Sequence, residues 1–123
     1  GKAIYTADME TSDCLTGRIL RSPVSHGRII RLDTTKAARL EGVVAIVTGE
    51  DCPHTYGVIP VAMNEYPMAR ERTRYRGEPI AAVAAVDAKT AEMALDLITL
   101  EIEQLPGCHT AKDSRAPDAV QLH

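Results

Sequence analysis

Two stretches of the chain repeat one pattern of apolar and polar positions. Residues 27 to 48 read GRIIRLD, then TTKAARLEG, then VVAIVT; residues 79 to 103 read PIAAVAAVD, then AKTAEMALDL, then ITLEIE. In each, an apolar run stops at an aspartate, a segment of helical period follows, and a second apolar run closes the unit. The spacing predicts strand, helix, strand twice over, an α/β chain with two main helices packed on a mixed sheet. Asp33 or Thr34 can accept a hydrogen bond from the first free amides of the first helix, and Gly42 stands where a left-handed residue would end it. Asp87 opens the second helix in the same way. On that helix Ala91, Ala94, Leu95 and Ile98 follow the i, i+3, i+4, i+7 rule while Lys89, Glu92 and Asp96 point away, so one face is expected buried and the other wet.

The apolar runs differ among themselves. In IAAVAAV, residues 80 to 86, both strand faces are apolar, which predicts a central strand whose alanines let helix backbones approach closely. Thr99, Leu100, Glu101, Ile102 and Glu103 alternate, as a strand nearer an edge does. Residues 49 to 69, GEDCPHTYGVIPVAMNEYPMA, hold Pro53, Pro60 and Pro67 and no sustained period. They predict a long loop, and loops beyond about twelve residues are usually functional or held by a partner. Val58, Ile59, Val61 and Met63 are ill suited to water. The tail from Gly107 to His123 is polar and reads as a linker toward further polypeptide.

A chain of 123 residues, 45% apolar and 25% charged, fits a single domain spanning 1–123 with a real core. No apolar run reaches the 18 or so residues of a membrane span, and Gly1-Lys2-Ala3-Ile4-Tyr5 lacks a signal-peptide core, so a soluble, cytoplasmic protein is expected and no membrane partner. A start at Gly1 rather than Met suggests a fragment of a much longer subunit. Fourteen basic against seventeen acidic residues leave a net charge of −3, and the four tyrosines are the only aromatics, so nucleic acid is not an expected partner. Cys14, Cys52 and Cys108 form an odd set without CxxC spacing, which fits a reducing compartment rather than a disulfide scaffold.

Signatures of chemistry are scarce. Neither GxGxxG nor GxxxxGK[ST] occurs, nor GxSxG or HExxH. Cys52 and His54 with Cys108 and His109 could converge on a metal, but neither pair has zinc-finger spacing, and isolated loop residues are the preferred reading. His26 could act as a general base; without a nucleophile near it, a histidine satisfying a turn is preferred. Arg70, Arg72, Arg74 and Arg76 occupy alternate positions, so an extended chain would line one face with four guanidiniums and leave Glu71, Thr73 and Tyr75 on the other. Such a stripe could hold a phosphate or an acidic partner; the blander reading is an edge strand protected by charge.

Three blocks together carry a resemblance: LRSPVSHGRI at 20–29, GVVAIVTGED at 42–51 and RYRGEPIAAVAA at 74–85. With GKAIYTAD at the start, the chain resembles, over nearly its whole length, the α/β hammerhead domain that opens the molybdenum-binding large subunit of the xanthine dehydrogenase and aldehyde oxidase family. That family includes carbon monoxide dehydrogenase and 4-hydroxybenzoyl-CoA reductase, and AMNEYPMARERTRYRGEP is most similar to the latter branch. Val24 departs from relatives that carry histidine there, which puts in doubt any domain contact made by that histidine. The resemblance implies an oxidoreductase in which molybdenum, held by a pterin dithiolene, oxidises substrate by hydroxylation and passes electrons through two iron–sulfur clusters, usually to FAD. In the hydroxybenzoyl-CoA branch the flow is reversed and a ring hydroxyl is removed.

The family's pterin-binding segments and catalytic glutamate lie beyond this domain, so the resemblance implies no catalytic, cofactor-binding or metal-binding residue here, and a fragment inactive alone. The implied partners are the rest of the large subunit and the iron–sulfur and FAD subunits or domains. Val58, Ile59 and Met63 of the 58–63 loop and Arg70, Arg72, Arg74 and Arg76 are the candidate contacts, the arginines alternatively meeting CoA phosphates. Two rival readings are an autonomous interaction or small-ligand-binding module of the same fold, and a metalloenzyme using Cys52, His54, Cys108 and His109.

Overall fold

The computed structural model describes residues 1–9 and 11–123. Each repeated unit yields its strands: β1 (Thr16–Arg21) precedes them, the first unit supplies β2 (Gly27–Asp33), α1 (Thr35–Ala38) and β3 (Val43–Thr48), β4 (Arg72–Thr73) follows the long loop, and the second unit supplies β5 (Pro79–Ala85), α2 (Ala88–Leu97) and β6 (Thr99–Gln104). The strands form two three-stranded sheets, ordered β1-β5-β3 and β4-β2-β6. All four pairings are antiparallel. The units therefore interlock: β3 of the first pairs with β5 of the second, and β2 with β6. A parallel return within one unit needs a crossover of a dozen or more residues, which residues 34–42 are too few to make.

The first helix is shorter than its sequence suggested. It ends at Ala38 because the next amides close tighter three-residue turns: Arg39 N donates to Lys36 O, Leu40 N to Ala37 O and Val43 N to Leu40 O. Asp33, not Thr34, supplies the side chain at its start, with Oδ1 accepting from Thr35 N at 2.9 Å. Gly42 has φ +89°, and a Cβ there would lie 2.9 Å from Val86 Cγ2, so both conformation and space demand glycine. α2 begins as expected, with Asp87 Oδ1 accepting from Thr90 N at 2.7 Å.

The core sits where α2 crosses the first sheet. Ala91 and Ala94 of α2, with Ile98 just past its end, close on Ala81, Val83 and Ala85 of β5 and on Ala37 of α1, with Leu20, Leu32, Leu40, Val43, Ile46 and Leu95 packed around them. The alanines of β5 let helix and sheet approach closely. β5 is the central strand, flanked by β1 and β3. β6 is an edge strand: Thr99, Glu101 and Glu103 are exposed while Leu100 and Ile102 turn inward. Among the described residues no helix is long and apolar enough to cross a membrane.

Candidate functional site

The RYRGEP segment and the LRSP segment meet at the junction of the two sheets. Ser22 N donates to Glu78 O and Gly77 N donates to Ser22 O, each at 2.9 Å. Ser22 Oγ donates to Val24 O at 2.8 Å and lies 3.1 Å from Thr73 Oγ1, whose hydroxyl can donate to it. The Glu78 carboxylate accepts from Arg74 N and so closes the turn that Gly77, at φ +90°, makes possible. Ser22, Thr73 and Glu78 are all buried, and every one of these contacts satisfies a group that burial would otherwise penalise. Ser22 and Glu78 stand in two of the blocks that carry the resemblance, but their meeting was not legible, because Ser22 lies more than fifty positions from Thr73 and Glu78; a glutamate between glycine and proline, just before an all-apolar strand, was the available local signal.

That turn also divides the arginine stripe. β4 contains only Arg72 and Thr73, and the chain bends beyond it, so the four guanidiniums do not share one extended face. Arg70, Arg72 and Arg74 line a cleft of about 280 Å³ together with Tyr66 and Glu71. Arg76 is carried round the Gly77 turn into a separate cleft beside Val24, Gln104 and His109. Arg70 Nη2 donates to Glu50 Oε2 at 3.0 Å, and its guanidinium lies 5.8 Å from the centre of the Tyr66 ring. The Glu50 hydrogen bond raises the Arg70 pKa further above its ordinary value. Arg74 Nε donates to Leu122 O at 2.8 Å.

This last bond changes the picture of the tail. Arg74 ties residues 107–123 back to the body of the molecule, and within the tail Cys108 Sγ reaches Val120 O at 3.6 Å, so the expected linker is folded on itself and anchored. The physical reason is that unpaired carbonyls near the end of the chain meet donors already fixed by the fold.

The apolar loop is held at its base and bare at its tip. Tyr56 N donates to Glu65 O and Glu65 N to Tyr56 O, which pins the two arms. Between them Val58 is 95% exposed, Ile59 60% and Met63 54%. Leaving this much clustered apolar area in water is unfavourable by about 25 cal/mol per Å².

His26 is 3% exposed, its Nδ1 is 2.6 Å from Pro106 O, and its carbonyl accepts from Leu105 N. It ties residues 105–106 to the start of β2, and its Nε2 is buried without a partner among the described residues. The cysteine and histidine pairs do not converge: among the described residues no three His, Cys, Asp or Glu side chains are grouped to hold a metal, and the three cysteines are free thiols. The four residues of the metalloenzyme reading, Cys52, His54, Cys108 and His109, are thus not gathered into a ligand set among the described residues.

Residues 1–106 match the family model for the aldehyde oxidase and xanthine dehydrogenase a/b hammerhead domain. The whole chain is 36% identical over 125 residues to a probable xanthine dehydrogenase subunit of Bacillus subtilis (strain 168), spanning 16% of that relative. It is 34% identical over 125 residues to the nicotinate dehydrogenase large molybdopterin subunit of Eubacterium barkeri, spanning 29% of it. The aldehyde oxidoreductase of Desulfovibrio gigas superposes on 98% of the chain with a TM-score of 0.85, over 15% of its own length; at 23% identity this is a likeness of fold. The chain therefore spans less than a third of the length of these relatives. With the interlocked antiparallel sheets, the α2-covered core and the family match all coinciding on the same residues, the chain belongs to the aldehyde oxidase and xanthine dehydrogenase α/β hammerhead family.

Proposed function

We propose that this chain is a non-catalytic scaffold in the large subunit of a molybdopterin-dependent oxidoreductase and is inactive by itself. The reading rests on its end-to-end alignment with 16% of the Bacillus subtilis xanthine dehydrogenase relative. The chain contributes position rather than chemistry: its clustered polar groups are spent on turns and sheet junctions. On this reading the molybdenum cofactor, which would supply the redox centre, is held by polypeptide outside these residues, and iron–sulfur and FAD subunits or domains complete the electron path in the cytoplasm. Val58, Ile59 and Met63 form the contact with the rest of the large subunit or a neighbouring one, since so exposed an apolar cluster is stable only when covered. That requirement disfavours an autonomous module. The 4-hydroxybenzoyl-CoA branch draws no support from the xanthine and nicotinate dehydrogenase relatives, and the reading stays at the family.

The test is to capture the native polypeptide from source cells with an antibody against residues 1–123 and to measure its mass and bound molybdenum. A polypeptide several times larger than 13.3 kDa that carries molybdenum is the expected result. A metal-free species of 13.3 kDa would overturn the proposal.

A further inference from the structure

We propose that the cleft formed by Tyr66, Arg70, Glu71, Arg72 and Arg74 is a binding site for a phosphate-type oxyanion, either inorganic phosphate or the phosphoryl group of a small monoester. Three guanidiniums share about 280 Å³ with one lining carboxylate, Glu71. Glu50 is committed to Arg70, so the cleft keeps an excess of positive charge. A further cation stands beside it, because Arg28 is the direct partner of Arg72 in the antiparallel ladder between β2 and β4. Like charges directly opposite each other in a sheet are unfavourable. Arg28 has Glu103 at 3.6 Å, whereas among the described residues Arg72 makes no ion pair. A bound anion would relieve that repulsion.

Two of the three guanidiniums are held in place by the protein. Arg70 is fixed by Glu50 and the Tyr66 ring, and Arg74 by the bond from its Nε to Leu122 O, which leaves its two terminal nitrogens to donate elsewhere. Arg70 Nε is buried without an acceptor among the described residues, an omission that an incoming oxygen could correct. Such fixing lowers the ordering cost of binding. Guanidinium forks match oxyanions in paired hydrogen bonds. A carboxylate offers two oxygens and satisfies one fork, while a phosphate offers enough for several arginines at once, so the tetrahedral anion suits this cleft better than an acidic side chain.

The experiment uses the full polypeptide that contains these residues, titrated with inorganic phosphate and with phenyl phosphate and followed by calorimetry, in the parent, in Arg72→Gln and in Arg76→Gln. Arg72 is exposed, so its replacement should leave the melting temperature in place. Saturable binding that weakens about tenfold or more in Arg72→Gln and stays within about twofold in Arg76→Gln supports the site. Tighter binding of phenyl phosphate would assign it to a ligand-borne phosphoryl group, and tighter binding of inorganic phosphate to the free ion. Absence of saturable binding, as when an acidic segment fills the cleft, overturns the proposal, and so does binding that Arg72→Gln leaves intact or that both variants weaken equally. Molybdenum content is read separately, so failure here leaves the scaffold reading standing.

Discussion

The two sheets of the molecule are built from the same interlocked units yet are stabilised differently. In β1-β5-β3, the middle strand has a neighbour on each side and α2 across its face, and Ile80, Ala81, Val83 and Ala85 are buried. In β4-β2-β6, the middle strand carries Ile30 at 57% exposure, and Arg28 and Arg31 reach across to Glu103 and Glu101 at 3.6 and 3.5 Å. Exposed ion pairs of this kind contribute little, whereas burial of apolar area is the dominant favourable term in folding. The first sheet therefore holds most of the buried apolar core. The second carries the molecule's unclad surface, with the arginine cleft at its edge.

The largest expected effect follows directly. Ile80→Ala removes a fully buried side chain and should cost about 2–5 kcal/mol, while Ile30→Ala, on the open face of the second sheet, should change stability by less than about 0.5 kcal/mol. Urea unfolding of both variants against the parent chain measures the difference. Similar losses would mean that the second sheet is packed as tightly as the first and would remove the division of labour.

Ser22 joins the two sheets, because it follows β1 in one and hydrogen-bonds Thr73 in β4 of the other. Its replacement by alanine leaves the Thr73 hydroxyl buried with one partner fewer and should cost about 1–3 kcal/mol. Combined with Thr73→Val, the loss should be non-additive by at least about 0.5 kcal/mol, since the two side chains share one contact. Additive losses in a double-mutant cycle would show that the sheets are joined through the backbone bonds of Ser22 alone.

What could be read from the sequence was local. The Asp87 cap, the buried face of α2, the central place of β5 and the edge place of β6 all follow from periodicity and from capping chemistry within a few residues. The exchange of partners between the two units was hidden, because no local signal says that β3 pairs with β5 rather than with β2. The length of α1 was hidden for a related reason: Ala37 is pulled into the shared core, and the residues after it spend their amides on tight turns before Gly42. The alternate arginines raised the right candidates, and three of them share a cleft. Arg76 leaves it because Glu78 and Gly77 turn the chain against Ser22, a contact across more than fifty residues that alternation cannot anticipate.

The smallest expected effect compares the caps that end β2 and follow β5. Hydrogen bonds from Thr35 lower the Asp33 carboxyl from 3.8 to about 2, with Arg31 Nη2 adding a bond at 2.8 Å. Asp87 is lowered in the same direction by its bonds from Thr90. A carboxyl depressed in the folded state binds protons more readily when unfolded, so its stabilisation is present above the ordinary value and disappears as pH falls through the folded value. For Asp33 that window runs from about 3.8 down to about 2. Both groups are open to solvent, so the effects are modest. Asp33→Asn should flatten the acid limb of the melting-temperature profile over this window more than Asp87→Asn does, when both are followed by circular dichroism from about pH 5 to pH 2. Added salt should weaken the Arg31 share and leave the Thr35 share, because short hydrogen bonds are screened far less than exposed charges. If Asp87→Asn flattened the profile more, the acid sensitivity would belong to the helix that covers the first sheet, and the open sheet would be the more acid-resistant of the two.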